Sequence, residues 1–137
     1  MKFASIPSDV VLANSCNYIL EDGKSNQSYK LFLLGVLNSE LINWRFSLTN
    51  TNNHVSNREL TQLPIVDLRN SESRELATML IDEVKRLKTN EIVPRIEALV
   101  FAIYGFSSKD SAEILNMRFT PMPESEAILD ELKNLAI

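Results

Sequence analysis

The spacing of apolar positions changes near residue 27, and the change separates predicted strand from predicted helix. Residues 10–20 read VVLANSCNYIL between Pro7 and the turn at Asp22-Gly23, and these β-favouring residues predict one strand or a bent pair. The stretch from Gln27 to Phe46 instead repeats apolar residues along one helical face. It predicts one buried helix, whose stripe consists of Leu34, Leu37, Leu41 and Trp44.

A polar segment and a second strand are predicted after this helix. Residues 47–53 contain almost no apolar side chain, which indicates a loop. Residues 63–68 predict a short strand, and Pro64 places that strand at a sheet edge or at its own start.

The second half of the chain has helical spacing throughout. One helix is predicted from an N-cap at Asn70-Ser71 to Lys88, and another from about residue 92 to 104. Pro94 suits the first turn of that second helix, and Gly105 suits its end. A third helix is predicted from a cap at Ser107 or Ser108 to Met117, and a last amphipathic segment carries Ile128, Leu132 and Leu135.

This order of elements predicts an α+β fold in which a small β-sheet portion with a buried helix precedes a C-terminal helical bundle. Residues 1–69 form the predicted α+β portion, and residues 70–137 form a helical portion packed on it. A length of 137 residues with 45% hydrophobic content suits one domain overall.

The charges are unevenly distributed. The net charge is −4, yet residues 1–69 hold six Lys/Arg and six Asp/Glu, whereas residues 70–137 hold eight and twelve. If the chain contacts DNA, the first half is therefore the expected face. The N-terminus has no signal-peptide pattern, and the single Cys16 cannot form an internal disulfide, so we expect a cytoplasmic protein.

Signatures of catalysis are sparse. Three glycines form no phosphate-binding loop, and one Cys with one His makes a zinc site improbable, so no cofactor is expected. A metal-dependent nuclease needs clustered carboxylates, for which Asp67 and Glu72 are the nearest candidates. A Cys16–His54 nucleophile pair, as in a small hydrolase, stays formally open.

Two polar clusters are the candidates for binding DNA. Asn side chains present a donor beside an acceptor, which matches the N6/N7 edge of adenine, and arginines can meet guanine or phosphate. The alternative is that these polar residues bond their own backbone, as they often do in loops. The first cluster is Lys24, Asn26, Gln27 and Lys30, and the second is Arg45, Asn50, Asn52, Asn53, His54 and Arg58.

Three sequence blocks resemble a known family. They are LLGVLNSELIN at 33–43, ELTQLPI at 59–65 and LVFAIYGFSS at 99–108. Their order and spacing are similar to those of the TaqI-like C-terminal specificity domain, which occurs in type IIG restriction-modification enzymes and related adenine-specific DNA methyltransferases. The family pattern has a second proline where this chain has Val66. The blocks are mostly apolar and therefore predict scaffold, with Leu37, Leu41, Leu63 and Ile65 in the core and Asn38 and Ser39 as a local bonding pair.

The resemblance implies a non-catalytic target-recognition domain. Such a domain binds double-stranded DNA and directs a methyltransferase or endonuclease domain located elsewhere in the same protein or complex, so we expect this chain to be part of something larger. The alternative is a helical protein-interaction module that does not bind DNA. In that case the apolar stripes after residue 70, ending in Leu132 and Leu135, would face a partner.

Overall fold

The computed structural model describes residues 1–6, 9, 19, 26–50, 54–87 and 93–135. These ranges contain seven helices and no strand, so the predicted α+β fold with a small sheet is wrong for the part of the chain that the structure describes. The helices are α1 (Gln27–Asn38), α2 (Glu40–Ser47), α3 (Asn57–Thr61), α4 (Ser71–Lys85), α5 (Pro94–Ile103), α6 (Ser108–Met117) and α7 (Met122–Leu135).

The predicted strand at 63–68 is an extended segment that pairs with no other strand among the described residues. Its backbone polar groups are met by a side chain instead: the Tyr104 hydroxyl donates to the Pro64 carbonyl at 2.7 Å and accepts from the Val66 N–H at 3.3 Å. Leu63 and Ile65 pack against the helical core, as expected. The other predicted strand region, 10–20, lies outside the described residues apart from Ile19.

The single helix predicted from Gln27 to Phe46 is divided at Ser39. Ser39 is extended and buried, and it is both the last cap of α1 and the first cap of α2. Its hydroxyl donates to the Val36 carbonyl at 2.6 Å and accepts from the Ile42 N–H at 3.2 Å. One short polar side chain thus satisfies backbone groups on both sides of the break. The helix can therefore be interrupted inside the core without leaving these groups unbonded.

Asn38 and Ser39 do not bond to each other as predicted. The Asn38 side chain reaches the N-terminal segment, where its Oδ1 accepts from the Phe3 N–H at 2.7 Å and its Nδ2 donates to the Phe3 carbonyl at 3.0 Å. Asn38 therefore fastens residues 1–6 to the end of α1.

The helices predicted for the second half are confirmed in number and order, although the one predicted to run to Lys88 ends at Lys85. Asn70 caps α4 by accepting from the Glu72 N–H at 2.9 Å, and Ser107 caps α6 by accepting from the Asp110 N–H at 3.1 Å. Pro94 is the first residue of α5, and Gly105 follows its end with a φ of 74°.

The buried core joins helices from both sides of residue 70. Phe32 and Val36 of α1 are fully buried against residues of α4 and α5. Gly35 permits this approach, because a Cβ added there would lie 3.0 Å from Val84 Cγ2 and 3.2 Å from Leu80 Cδ1. The division into portions 1–69 and 70–137 stays a prediction. In the part of the chain that the structure describes, no helix is long and apolar enough to cross a membrane.

Candidate nucleic-acid interface

The polar loop after α2 is closed by its own side chains. Asn50 Nδ2 donates to the His54 carbonyl at 2.8 Å and to Glu59 Oε1 at 2.7 Å. Glu59 also accepts from the Ser56 N–H at 2.9 Å, and Ser56 Oγ accepts from the Glu59 N–H, so the two residues form a capping box that begins α3. These bonds, first the backbone bond from Ser56 and then the side-chain bond from Asn50, lower the pKa of Glu59.

Asn50 is therefore committed to the loop. Reading adenine requires the amide to donate and accept along one edge, but the Asn50 amide nitrogen already donates to two internal acceptors. His54 and Arg58 lie exposed on either side of the Ser56 cap. Asn52 and Asn53, the other asparagines predicted to read bases, lie outside the described residues.

The first polar cluster surrounds the start of α1. Asn26 is the N-cap of α1, and its Oδ1 accepts from the Tyr29 N–H at 2.9 Å. Its side chain therefore stabilises the start of the helix. Gln27 is exposed and Lys30 is half-buried in the first turn. Lys24 lies outside the described residues.

A small apolar pocket lies between α2, the extended segment at 63–68 and the end of α5. Its volume is about 80 Å³, and it is lined by Leu41, Ile42, Trp44, Arg45, Pro64, Tyr104 and Phe106. Burial raises the pKa of the Tyr104 phenol, and nearby Tyr29 further disfavours its ionised form.

Two donor groups near this pocket, on Trp44 and Arg45, have no hydrogen-bond partner among the described residues. The Trp44 indole Nε1 is buried and bonds to nothing in the described ranges. Arg45 is half-buried, and its guanidinium forms no hydrogen bond or ion pair there. Water solvates the exposed part of such a guanidinium, and an external anion can replace that water as the acceptor.

Arg58, exposed on α3, likewise forms no ion pair in the described part of the chain. The arginines after residue 70 behave differently. Arg95 Nε binds Glu83 Oε1 at 3.2 Å and Arg95 Nη1 binds Glu131 Oε2 at 3.1 Å, which ties α5 to α4 and α7. Among the described arginines, the two without a hydrogen bond or ion pair to the described chain are thus those flanking the polar loop; Arg74, for comparison, donates to the Leu68 and Arg69 carbonyls.

The remaining chemical candidates gain no support. Cys16 lies outside the described residues, so its pairing with His54 stays untested. Asp67 is held by Arg69, whose side chain lowers the Asp67 pKa, and Glu72 lies in the first turn of α4. No group of three metal-ligating side chains occurs among the residues that the structure describes.

Sequence reasoning missed Trp44 and Tyr104 as parts of one site. Trp44 was assigned to the apolar stripe and Tyr104 to a helix end, and their 60-residue separation offers no local signal that they meet. The Ser56–Glu59 capping box was visible as a Ser-x-x-Glu spacing.

Comparison of the chain with models of protein families, with curated proteins and with solved structures found no match.

Proposed function

We propose that this chain is a DNA target-recognition domain that directs a methyltransferase or endonuclease domain located elsewhere. The observation that carries the proposal is that Arg45 and Arg58, on either side of the polar loop, form no hydrogen bond or ion pair with any described residue. The order and spacing of the three sequence blocks add support. The proposal includes a cytoplasmic location and no catalytic role for this chain.

In this proposal the arginines contact phosphates and set the register of the domain on the duplex. Residues 26–69 hold four Lys/Arg and three Asp/Glu, so this part of the chain does not repel DNA as strongly as the acidic half does. Base reading falls to side chains that are not used internally. Gln27 is an exposed candidate among the described residues, whereas Asn26 and Asn50 serve mainly to hold helix and loop.

The test is fluorescence anisotropy with a labelled duplex of about 20 base pairs at roughly 50 mM salt. We expect a Kd within the non-specific range of about 10⁻⁴–10⁻⁶ M for the isolated chain. The Arg45→Gln/Arg58→Gln double variant should bind at least tenfold more weakly. Its slope of log K against log salt should be smaller by about 2, since two phosphate contacts are lost.

The matched control is the Lys85→Gln/Lys133→Gln double variant, which removes the same charge from exposed side chains on α4 and α7. An equal loss of DNA affinity in both variants would mean that only net charge matters. It would refute a DNA-binding face at Arg45 and Arg58. Absence of any wild-type binding at low salt would remove the proposal itself.

The alternative interaction module loses its expected surface. Leu132 is buried and Leu135 packs against the core, so the apolar stripe that was expected to face a partner is used between helices of this chain. A different surface, at the turn between α6 and α7, has the properties that a partner-binding site requires.

A further inference from the structure

Helices α5 and α6 end in the same backbone motif but with different residues at its critical position. After α5, the Gly105 N–H bonds to the Ala102 carbonyl and the Phe106 N–H bonds to the Phe101 carbonyl, both at 3.0 Å. This is a Schellman motif, which requires a left-handed residue after the cap, and Gly105 with a φ of 74° meets the requirement without strain.

After α6 the left-handed position is occupied by Phe119. The Phe119 N–H bonds to the Asn116 carbonyl and the Thr120 N–H bonds to the Leu115 carbonyl, both at 3.0 Å, so the motif is complete. Phe119 has a φ of 55°, the single positive φ of a non-glycine residue in the described part of the chain. A Cβ clashes with the backbone in this conformation, which makes a bulky residue unfavourable there.

Burial of the ring does not offset this strain. Phe119 is 91% exposed, whereas Phe106, at the next position of the α5 motif, packs edge-on against the buried Phe101 with ring centroids 6.2 Å apart. Neither the backbone nor the solvent favours a phenylalanine at position 119. Backbone strain that the fold does not offset is typical of residues that take part in binding or another function.

Other apolar side chains lie exposed around the same turn. Met117, at the end of α6, is 53% exposed, and Met122, at the start of α7, is 70% exposed. Pro121 and Pro123 are exposed as well. We call Met117, Phe119, Pro121, Met122 and Pro123 the Phe119 patch. An aromatic anchor flanked by flexible methionines is typical of protein-binding surfaces.

The rim of the Phe119 patch is acidic. Glu113 lies one turn before Met117, Glu126 lies one turn after Met122, and neither forms an ion pair with any described residue. The one cation between them in sequence, Arg118, is held by Glu40 of α2 at 2.9 Å. Glu124 Oε2, at the start of α7, is buried and has no hydrogen-bond partner among the described residues. The patch therefore combines an apolar centre with two exposed carboxylates, Glu113 and Glu126, that form no ion pair with any described residue.

We propose that the Phe119 patch binds a partner protein whose apolar surface is rimmed by Lys or Arg side chains, with Phe119 as the anchor. The charge of the rim selects against DNA and anionic membranes, which are negative. It also selects against a symmetric contact with a second copy, because that would oppose like charges. The inference does not depend on DNA binding, since it involves a different turn and different residues.

The chain offers a direct reporter. Its four methionines are Met1, Met79, Met117 and Met122, so ¹³C-methyl labelling gives two signals inside the patch and two elsewhere. The probe is an amphipathic helical peptide of leucine and lysine, which presents an apolar face with a basic rim. The matched control peptide replaces every lysine with glutamate.

We expect the leucine–lysine peptide to shift the Met117 and Met122 methyl signals and to leave Met79 unchanged. The leucine–glutamate peptide should shift neither. Phe119→Gly should weaken binding of the first peptide at least tenfold, because it removes the anchor. The melting temperature of this variant should stay the same or rise, because glycine fits the left-handed position.

Several outcomes would overturn the proposal. They are unshifted Met117 and Met122 signals, equal binding of the two peptides, undiminished binding by Phe119→Gly, and shifts of the same signals by duplex DNA or by vesicles of anionic phospholipid. A lower melting temperature for Phe119→Gly would also overturn it, since the ring would then stabilise the fold itself. Phe119→Asn, which tolerates the same conformation, repeats the test without added chain flexibility.

Discussion

The side chain of Glu97 accepts a hydrogen bond from the backbone N–H of Glu40, with 2.9 Å between Oε2 and N. Glu97 lies in α5, is 5% exposed, and meets the first residue of α2 immediately after the Ser39 break. Burial, the largest cause, raises its pKa to about 8; the Glu40 carboxylate adds to the rise, while the bond from the Glu40 N–H and the charge of Arg118 oppose it. Folding therefore favours a protonated Glu97 at neutral pH.

This raised pKa predicts that stability falls as the solution becomes more alkaline. In the unfolded chain Glu97 ionises near its ordinary pKa of 4.5, whereas in the fold it keeps its proton to about 8. The contribution of Glu97 to the free energy of unfolding is fully present below about pH 4.5. It is lost as pH rises towards 8, at up to about 1.4 kcal/mol per pH unit. Urea unfolding followed by fluorescence of Trp44, the only tryptophan, measures this from about pH 5 to pH 8.

Glu97→Gln is the matched variant, because its amide keeps an oxygen acceptor for the Glu40 N–H and cannot ionise. It should flatten the pH dependence and exceed the wild type in stability near pH 8. A wild-type free energy of unfolding that does not change over this range, or that changes equally in the variant, contradicts the role of Glu97.

Gly35→Ala should destabilise the protein by about 1 kcal/mol or more. Alanine favours a helix over glycine by about 1 kcal/mol, but overpacking a core costs about 1–3 kcal/mol. The added methyl would meet Val84 Cγ2 at 3.0 Å and Leu80 Cδ1 at 3.2 Å, and both atoms belong to the packed face of α4. The measurement is the free energy of unfolding in urea at fixed pH.

Gly105→Ala is the control for that substitution. No atom lies within 4 Å of a Cβ added at position 105, but the φ of 74° strains any side chain there. This substitution should lower the free energy of unfolding by about 1–2 kcal/mol, because of backbone strain alone. If Gly35→Ala instead stabilises the protein, helix propensity outweighs packing and the tight α1–α4 contact is not limiting.

Ser39→Ala should cost about 1–2 kcal/mol, because it removes the cap of α2 and leaves the buried Ile42 N–H unbonded. Ser56→Ala removes a comparable cap at the exposed start of α3, where water replaces the lost bond. It should cost less, and thermal unfolding of the two variants gives the comparison. Equal costs would mean that burial of Ser39 adds nothing.

Asn50→Ala separates a structural role from base reading. It removes the donor that binds the His54 carbonyl and Glu59, so we expect faster protease cleavage within residues 50–56. DNA affinity should fall less than in the Arg45→Gln/Arg58→Gln variant, because the Asn50 amide nitrogen is used internally. A larger loss of affinity with an intact loop would restore Asn50 as a base-reading residue.

The helices of the second half were predictable because their boundaries are local. The Asn70 and Ser107 caps, Pro94 at the start of α5 and Gly105 after its end each act within one turn of the backbone they bond or constrain. Such signals lie within a few residues of one another, so the order of the chain alone reveals them. The candidate site was predictable only in part: the sequence indicated a polar loop flanked by Arg45 and Arg58, but not that Asn50 is bonded internally.

Only tertiary structure decided the rest. The sequence of 63–68 favours extended backbone, but a strand needs a partner, and the partner here is the Tyr104 hydroxyl, contributed from 38 to 40 residues away. The break at Ser39 is supported by Glu97, which accepts from the N–H of Glu40, 57 residues distant, and the apolar pocket joins Trp44 to Tyr104. The sequence by itself determined the order of the helices after residue 70 and the caps that begin them, because caps and turn residues act locally. The tertiary structure decided which buried polar groups are satisfied and which side chains stay unpaired, because those outcomes depend on partners that only packing brings together.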